Sequence, residues 1–209
     1  MKIAIFGSTG SIGRELVEQA LNKGCSVTAA ARNPSKIDVK HKNLRVVGAD
    51  VMDQQAVEAV VAQQDAILSA LGTPALTRNT TRSQGTLHII QAMEKFGVRR
   101  LISLSSLGIG DSRPNLPALY KYILVPILLR QGFAEHEIQE SYVKQSNTDW
   151  TLVRPGAYTN GPLTGVYKQG FSVTDANIKA KISRADVADF MLKQLDTNDY
   201  VGKSPGVSY

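Results

Sequence analysis

Three glycines fall three residues apart in the segment GSTGSIG, at Gly7, Gly10 and Gly13, directly after an apolar run. Glycine at three such positions costs backbone entropy. A loop of this kind between a strand and a helix offsets that cost by cradling a pyrophosphate. Gly7 permits the tight turn. Gly10 lets the backbone approach phosphate with no Cβ in the way, and Gly13 lets the helix pack close to the strand. The free N–H groups of the helix N-terminus supply donors and partial positive charge. Further along, AAARNPSK carries no acid where an NAD-preferring fold places one for the ribose hydroxyls; Arg32 stands there, with Lys36 nearby. Both can pair with a 2′-phosphate, arginine through two parallel hydrogen bonds, which favours NADP(H). Asp50, in GAD, is placed to accept from an adenine amine with Val51 packing near the ring, or else to cap a turn. In SALGT, Gly72 lets the backbone pass close to the same ligand.

These residues need elements to position them, and the chain supplies apolar runs of strand length alternating with amphipathic stretches of helix length. KIAIF, SVTAAAR, LRVVGAD, DAILSALG, RRLISLSS and WTLVRPG read as six strands. Between them, RELVEQALNKG places Leu16, Val17, Ala20 and Leu21 on one helical face, with Gly24 as its stop. Asp53 caps QQAVEAVVAQQ. TRSQGTLHIIQAMEKFG and AEHEIQESYVKQS are two more helices, and Ser183 with Asp186 opens RADVADFMLKQL as a capping box. This alternation predicts an α/β fold: a doubly wound parallel sheet with helices on both faces. Residues 1–209 read as a single domain. The stretch from Leu107 to Phe133, within 107–135, shows no regular period and reads as a lid or substrate-side insertion over the sheet's C-terminal edge.

Composition narrows the function classes. The chain has 209 residues, 43% apolar and 20% charged, which is ordinary for a folded domain. One cysteine, Cys25, and three histidines leave no disulfide framework and no metal site, and fit a cytoplasmic protein. The net charge of +6 comes without an arginine-rich run or interleaved aromatics, so nucleic acid is not an expected partner. The N-terminal apolar stretch is too short for a signal peptide. Lys121, Pro126 and Arg130 interrupt LPALYKYILVPILLRQGF, which predicts no membrane span.

Taken in order, GSTGSIG, Arg32, GAD, SALGT, ISLSS and TLVRPG resemble the atypical short-chain dehydrogenase/reductase superfamily, with its NmrA-like NAD(P)H-binding members. GPLTGVY and ISRADVADFML most resemble biliverdin-IXβ reductase/flavin reductase and its bacterial relatives. The resemblance covers essentially the whole chain and implies a Rossmann-like domain binding NADP(H). It implies that Gly7, Thr9, Gly10, Ser11, Ile12 and Gly13 surround the phosphates, Arg32 and Lys36 hold the 2′-phosphate, and Asp50 and Val51 hold the adenine. Leu71 and Gly72 would line the middle of the cofactor. Ser105 and Ser106 would lie beside the nicotinamide, and Pro155, Gly156 and Ala157 near its carboxamide. Ser106 matches the active-site serine of these reductases, or else caps a turn at the strand end. Two departures bear on a tetrapyrrole substrate: Ala157 stands where relatives carry a histidine, and the stretch from Ser106 to His136 is longer.

Many short-chain dehydrogenases use a Tyr-x-x-x-Lys pair for proton transfer. No tyrosine here has lysine four residues later. The expected chemistry is therefore hydride transfer to an electron-poor ring, governed by proximity and orientation. The acceptor is a small planar molecule: a flavin, or a bilin or quinone. A non-catalytic NADP(H) sensor or assembly factor is the alternative. Phe133 and Tyr158 could stack on a flat acceptor or pack the lid. His136 and Glu140 share a helical face, as a proton donor with its orienter or as a structural pair. Arg154 could neutralise a phosphate or carboxylate, or form a salt bridge. Trp150 reads as core and Cys25 as a packed thiol.

Overall fold

Strand β1 (Lys2–Phe6) is a run of β-formers buried on both sides, and its alternating side chains feed two cores. Ile3 and Ile5 point to one face of the sheet, Ala4 and Phe6 to the other. The computed structural model describes residues 1–72, 79–172, 175 and 177–209. Thr73, at the end of the SALGT motif, lies outside them.

Around β1 the described residues form an eight-stranded sheet. Its members are β2 (Ser26–Ala31), β3 (Leu44–Gly48), β4 (Ala66–Ser69), β5 (Arg100–Leu104), β6 (Asp149–Pro155), β8 (Lys168–Gln169) and β10 (Gly206–Ser208). The order is β3-β2-β1-β4-β5-β6-β10-β8, parallel except where β8 runs against β10. Helices α1 (Ser11–Asn22) and α5 (Arg184–Lys193) cover the face that holds Ile3, Leu16 and Phe190. Helices α2 (Gln54–Val61), α3 (Thr81–Phe96) and α4 (Arg130–Gln145) cover the other, around Phe6, Val57, Ile89 and Val143. This is the Rossmann-like doubly wound arrangement expected. The strand order reverses between β1 and β4, and a crevice opens there at the carboxyl ends of the strands.

The predicted caps are present with one change. Asp53 accepts from the backbone N–H groups of Gln55 and Ala56. Ser183 accepts from the N–H of Asp186, but Asp186 does not reach back. Its carboxylate accepts from Thr164, Gly165 and the Tyr209 hydroxyl instead, so only half of the capping box forms. Trp150 sits half-buried at the margin of its core rather than inside it. Cys25 packs at the margin of the other.

The stretch read as irregular is helical. A 3₁₀ segment spans Gly110–Asn115, a π-helix spans Tyr120–Leu129, and α4 follows at once from Arg130, four residues before its predicted start. Pro126 lies inside the π-helix and has no N–H to donate. The sequence reading also lacked four short strands: β8, β10, and the parallel pair β7 (Ala157–Thr159) with β9 (Lys181–Ser183).

Two glycines hold the first turn together by close approach. Gly7 has φ +80°, and a Cβ there would strike the Ala70 carbonyl at the end of β4. A Cβ on Gly13 would collide with the Gly7 carbonyl itself. A Cβ on Gly10 would meet only the Gly7 carbonyl oxygen, at 3.2 Å. Gly13→Ala is therefore expected to cost about 2 kcal/mol or more in urea unfolding, as overpacking does. Gly10→Ala should cost less than about 1 kcal/mol, in the range of an N-cap change. The reverse ranking would contradict the packing role of Gly13.

Candidate functional site

Helix α1 begins at Gly10 with no side chain capping its first turn. Its orphan N–H groups therefore face the crevice with their partial positive charge. Gly7, Thr9, Gly10, Ser11 and Ile12 form one wall of a cavity of about 650 Å³. Arg32, at the end of β2, closes this end of the cavity, and its guanidinium has no protein partner among the described residues. Val51, Leu71 and Gly72 line the middle. Ser106, Pro155, Gly156, Ala157, Tyr158 and Phe133 line the far end. Gly156 is required there by architecture, because a Cβ would strike the backbone of Ala180 and Lys181. A Cβ on Gly72 would meet nothing.

Other expected contacts lie off this wall. Gly13 packs beneath the turn. Lys36 is exposed, and its carbonyl accepts from Arg14, which also donates to the Thr9 carbonyl. Asp50 accepts from the N–H of Met52, closing a turn of its own. Ser105 corrects the sequence reading most clearly. It is buried, and its hydroxyl donates to Glu140 at 2.7 Å. Adjacent residues leave a strand end on opposite sides, so Ser106 faces the cavity and Ser105 does not. The Ser106 hydroxyl donates to the Leu107 carbonyl at 3.2 Å.

Glu140 and Arg154 form the polar brace behind the far wall. Arg154 is 1% exposed and donates to both carboxylate oxygens of Glu140, from Nε at 2.8 Å and Nη2 at 2.7 Å. Asp111 takes its remaining edge, and Lys144 adds a second cation to Glu140 at 2.8 Å. Burial alone would raise the Glu140 pKa. The hydrogen bonds from Arg154, Lys144 and Ser105 overcome it and hold the carboxyl below its usual range. Arg154 is thus a structural ion pair and does not reach the cavity.

His136 and Glu140 are not a catalytic pair. His136 lines the cavity, and its Nδ1 lies 3.1 Å from Oε1 of Gln139. The Gln139 amide nitrogen donates to the Leu104 carbonyl and to Ser103. A carbonyl can only accept, so the amide orientation is fixed and Oε1 must be the acceptor toward His136. Nδ1 then carries the proton, and Nε2 is left as a hydrogen-bond acceptor. Burial and the nearby Arg82 charge push the His136 pKa down to about 3, so the ring is neutral. Tyr158 is the converse case. Desolvation of its hydroxyl raises the pKa to about 12, against the pull of Arg82 and Arg184, although 40% of the residue stays accessible.

Three cations beside the site carried no signal in the sequence. Arg82 projects from the first turn of α3 into the cavity wall. Arg184, at the start of α5, donates to the Ser11 hydroxyl at 2.9 Å and to Asn160 at 2.6 Å, and stacks 5.5 Å from the Tyr158 ring. Arg14 ties the glycine turn to the segment after β2. Each sits in a polar stretch where its partners are distant in sequence.

A crevice at the switch point of a doubly wound sheet, floored by a glycine turn and a bare helix N-terminus, defines a dinucleotide-binding protein. Residues 7–198 match the model of the NAD(P)H-binding family, and the chain belongs to that family. NADP(H) is accordingly its cofactor, and the resemblance to atypical short-chain dehydrogenases/reductases holds. The chain is 24% identical over 215 residues to the photosystem II assembly factor Ycf39 of Synechocystis, covering 98% of this chain and 61% of that protein. Among solved structures it resembles the oxidoreductase ylbE of Lactococcus lactis, with a TM-score of 0.84 and 24% identity. That match covers 100% of this chain and 90% of the other. It also resembles ChuY, an anaerobilin reductase of Escherichia coli, with a TM-score of 0.81 and 23% identity over 100% and 97% of the two chains. These two likenesses show the fold. No helix among the described residues is long and apolar enough to cross a membrane.

A neutral His136 has a measurable consequence. The unfolded chain protonates this histidine below its ordinary pKa of 6.5, while the folded chain refuses the proton until about pH 3. The contribution of His136 to stability is therefore intact above 6.5 and is lost as pH falls below it, at a limiting slope of about 1.4 kcal/mol per pH unit. In urea unfolding, His136→Gln is expected to flatten the wild-type decline between about pH 6.5 and about pH 5. The His136 ring protons should show no titration from about pH 8 to about pH 5 by NMR. A midpoint near the ordinary value would contradict the assignment.

Proposed function

We propose that this protein is an NADPH-dependent reductase that passes hydride to a planar acceptor, a flavin such as FMN or riboflavin, or a bilin or quinone. The observation that carries the cofactor half is Arg32, which closes the glycine-turn end of the cavity with no protein partner among the described residues. A 2′-phosphate would complete it, with Lys36 close in sequence. The residues fit the dinucleotide. A Cβ-free Gly10 and the first turn of α1 would take the pyrophosphate, Val51 the adenine side, Leu71 and Gly72 the middle, and Pro155, Gly156 and Ala157 the nicotinamide side. Asp50 would meet the adenine amine with the carboxylate that now caps its own turn.

When bound, the nicotinamide supplies a hydride, two electrons and one proton, which together with one solvent proton reduces the acceptor ring. The far wall is suited to hold that ring rather than to move protons. Phe133 and Tyr158 offer aromatic faces. Ser106 presents a hydroxyl whose present bond to Leu107 is long, so it is available to orient the acceptor or the nicotinamide. Neither His136, with a pKa near 3, nor Tyr158, near 12, titrates around neutrality. A site built so leaves the proton to solvent and relies on proximity, which suits an electron-poor ring better than an alcohol. Within 107–135, Leu116, Pro117, Tyr120 and Leu129 reach the cavity from the 3₁₀ and π-helical segments and serve as its lid. The likeness to ChuY, an anaerobilin reductase, supports a bilin among the acceptors. A cytoplasmic location accords with the single, partly buried cysteine.

The likeness to Ycf39 favours a second reading, an NADP(H)-binding assembly factor without turnover. The two part in one assay. NADPH oxidation, followed by loss of nicotinamide absorbance, should rise with added FMN and exceed oxidation of NADH. Arg32→Glu should raise the KM for NADPH by about tenfold to a hundredfold, the value of one charge-assisted contact, and leave that for NADH nearly unchanged. Tight NADPH binding with no turnover on flavin, bilin or quinone would replace the reductase reading with the assembly factor.

A further inference from the structure

Among the described residues Arg82 is the one cation in the far wall, and they leave it underpaired. It is 7% exposed and lines the cavity beside Gly132, Phe133, His136 and Tyr158. Among the described residues its guanidinium makes a single hydrogen bond, from Nη1 to the Gly132 carbonyl at a long 3.3 Å. Nε is buried without an acceptor, and Nη2 has none among the described residues. The Glu135 charge opposes that burial from a distance, without a direct contact. Glu135 accepts from the backbone N–H and the hydroxyl of Ser83, at 3.3 and 2.8 Å, and forms no ion pair with Arg82. Burial of this kind lowers the arginine's pKa, the mark of a charge taken out of water without full compensation.

The surroundings sharpen what would compensate it. Arg184 lies over the Tyr158 ring and Arg82 acts on the same phenol, so both cations add positive potential there. Arg82 also holds His136 neutral. Arg184 is already engaged by Ser11 and Asn160, which leaves one free cation and not two among the described residues. A dianionic phosphate would call for both. A planar carboxylate needs only one guanidinium and matches an end-on pair of N–H donors. The cofactor's phosphates belong to the other end of the cavity, at the glycine turn.

We infer that Arg82 anchors a carboxylate on the acceptor, so that among planar acceptors this reductase prefers those bearing a carboxylate beside the ring. This inference rests on the reductase reading of the site. Arg82 is a positioning and specificity residue here. It sets which acceptor enters and how the ring lies, while Ser106 and the aromatic faces meet the ring itself.

The test uses two ligands that differ only in charge. 2-Naphthoate and 2-naphthamide are titrated by calorimetry into the full chain saturated with NADP⁺, as wild type, Arg82→Met and Arg82→Lys. Wild type should bind the naphthoate about tenfold or more tightly than the amide. Arg82→Met should abolish that preference by weakening the naphthoate while the amide stays within about twofold, and Arg82→Lys should keep part of it. Equal wild-type affinity for the two ligands overturns the inference, even where Arg82→Met fails to fold. So does equal weakening of both in a variant of unchanged melting temperature. NADPH oxidation by the wild type with menadione, a neutral quinone, separates the two readings. Turnover with no naphthoate preference overturns the anchor alone. Naphthoate preference without turnover on any acceptor overturns the reductase and leaves an anion-binding site.

Discussion

Backbone against backbone at the first turn is the constraint on which the cavity depends. Gly7 lies against the Ala70 carbonyl and Gly13 against Gly7, so β1, β4 and α1 meet without a side chain between them. That contact sets the switch point of the sheet at the place where the strands' carboxyl ends part. It also aims the uncapped N-terminus of α1 into the opening. The entropy cost of the glycines thus serves packing at two positions, while the third, Gly10, would serve the ligand approach proposed above.

The far end of the cavity is held by the opposite means. There a buried carboxylate, Glu140, gathers Arg154, Lys144 and Ser105 from α4, β6 and the end of β5. Buried ion pairs add little net stability, because desolvation offsets attraction, but breaking one leaves an uncompensated charge. Their value here is position. Glu140 fixes α4 against the sheet, and the residue before it, Gln139, fixes the tautomer of His136 one turn earlier on the same helix. The wall that would face the acceptor is therefore rigid, aromatic and free of groups that titrate near neutrality.

Much of this was legible in the sequence, and the reasons differ by element. The strands β1, β2 and β4 to β6 announce themselves as apolar runs because they are buried on both faces, whereas β3 lies exposed at the sheet edge and is read from its β-branched residues. The glycine turn is legible because the steric demand falls on three fixed positions. The Asp53 cap is local, and so it was readable. Half of the Ser183 box was not, because Tyr209 and Thr164, far away in sequence, compete for Asp186. The short strands β7 to β10 exist only through pairing with distant partners, and two or three residues hold no period. The π-helix hides behind Pro126, which reads as a breaker. Ser105 and Ser106 were indistinguishable in sequence, since the choice of face depends on where the strand ends. Arg82 sits in a polar helix start, and nothing nearby in sequence marks it as buried.

The central claim is that the switch-point cavity seats NADP(H) with Arg32 on the 2′-phosphate and the nicotinamide at the far wall. A crystal structure of the chain grown with NADP⁺ tests it most directly. The account predicts pyrophosphate density at the N-terminus of α1, the 2′-phosphate within hydrogen-bond reach of Arg32, and the nicotinamide ring against Pro155 and Ala157 with room left beside Ser106 and Arg82. A cofactor whose 2′-phosphate points to solvent away from Arg32, or whose nicotinamide lies outside the cavity, would contradict it.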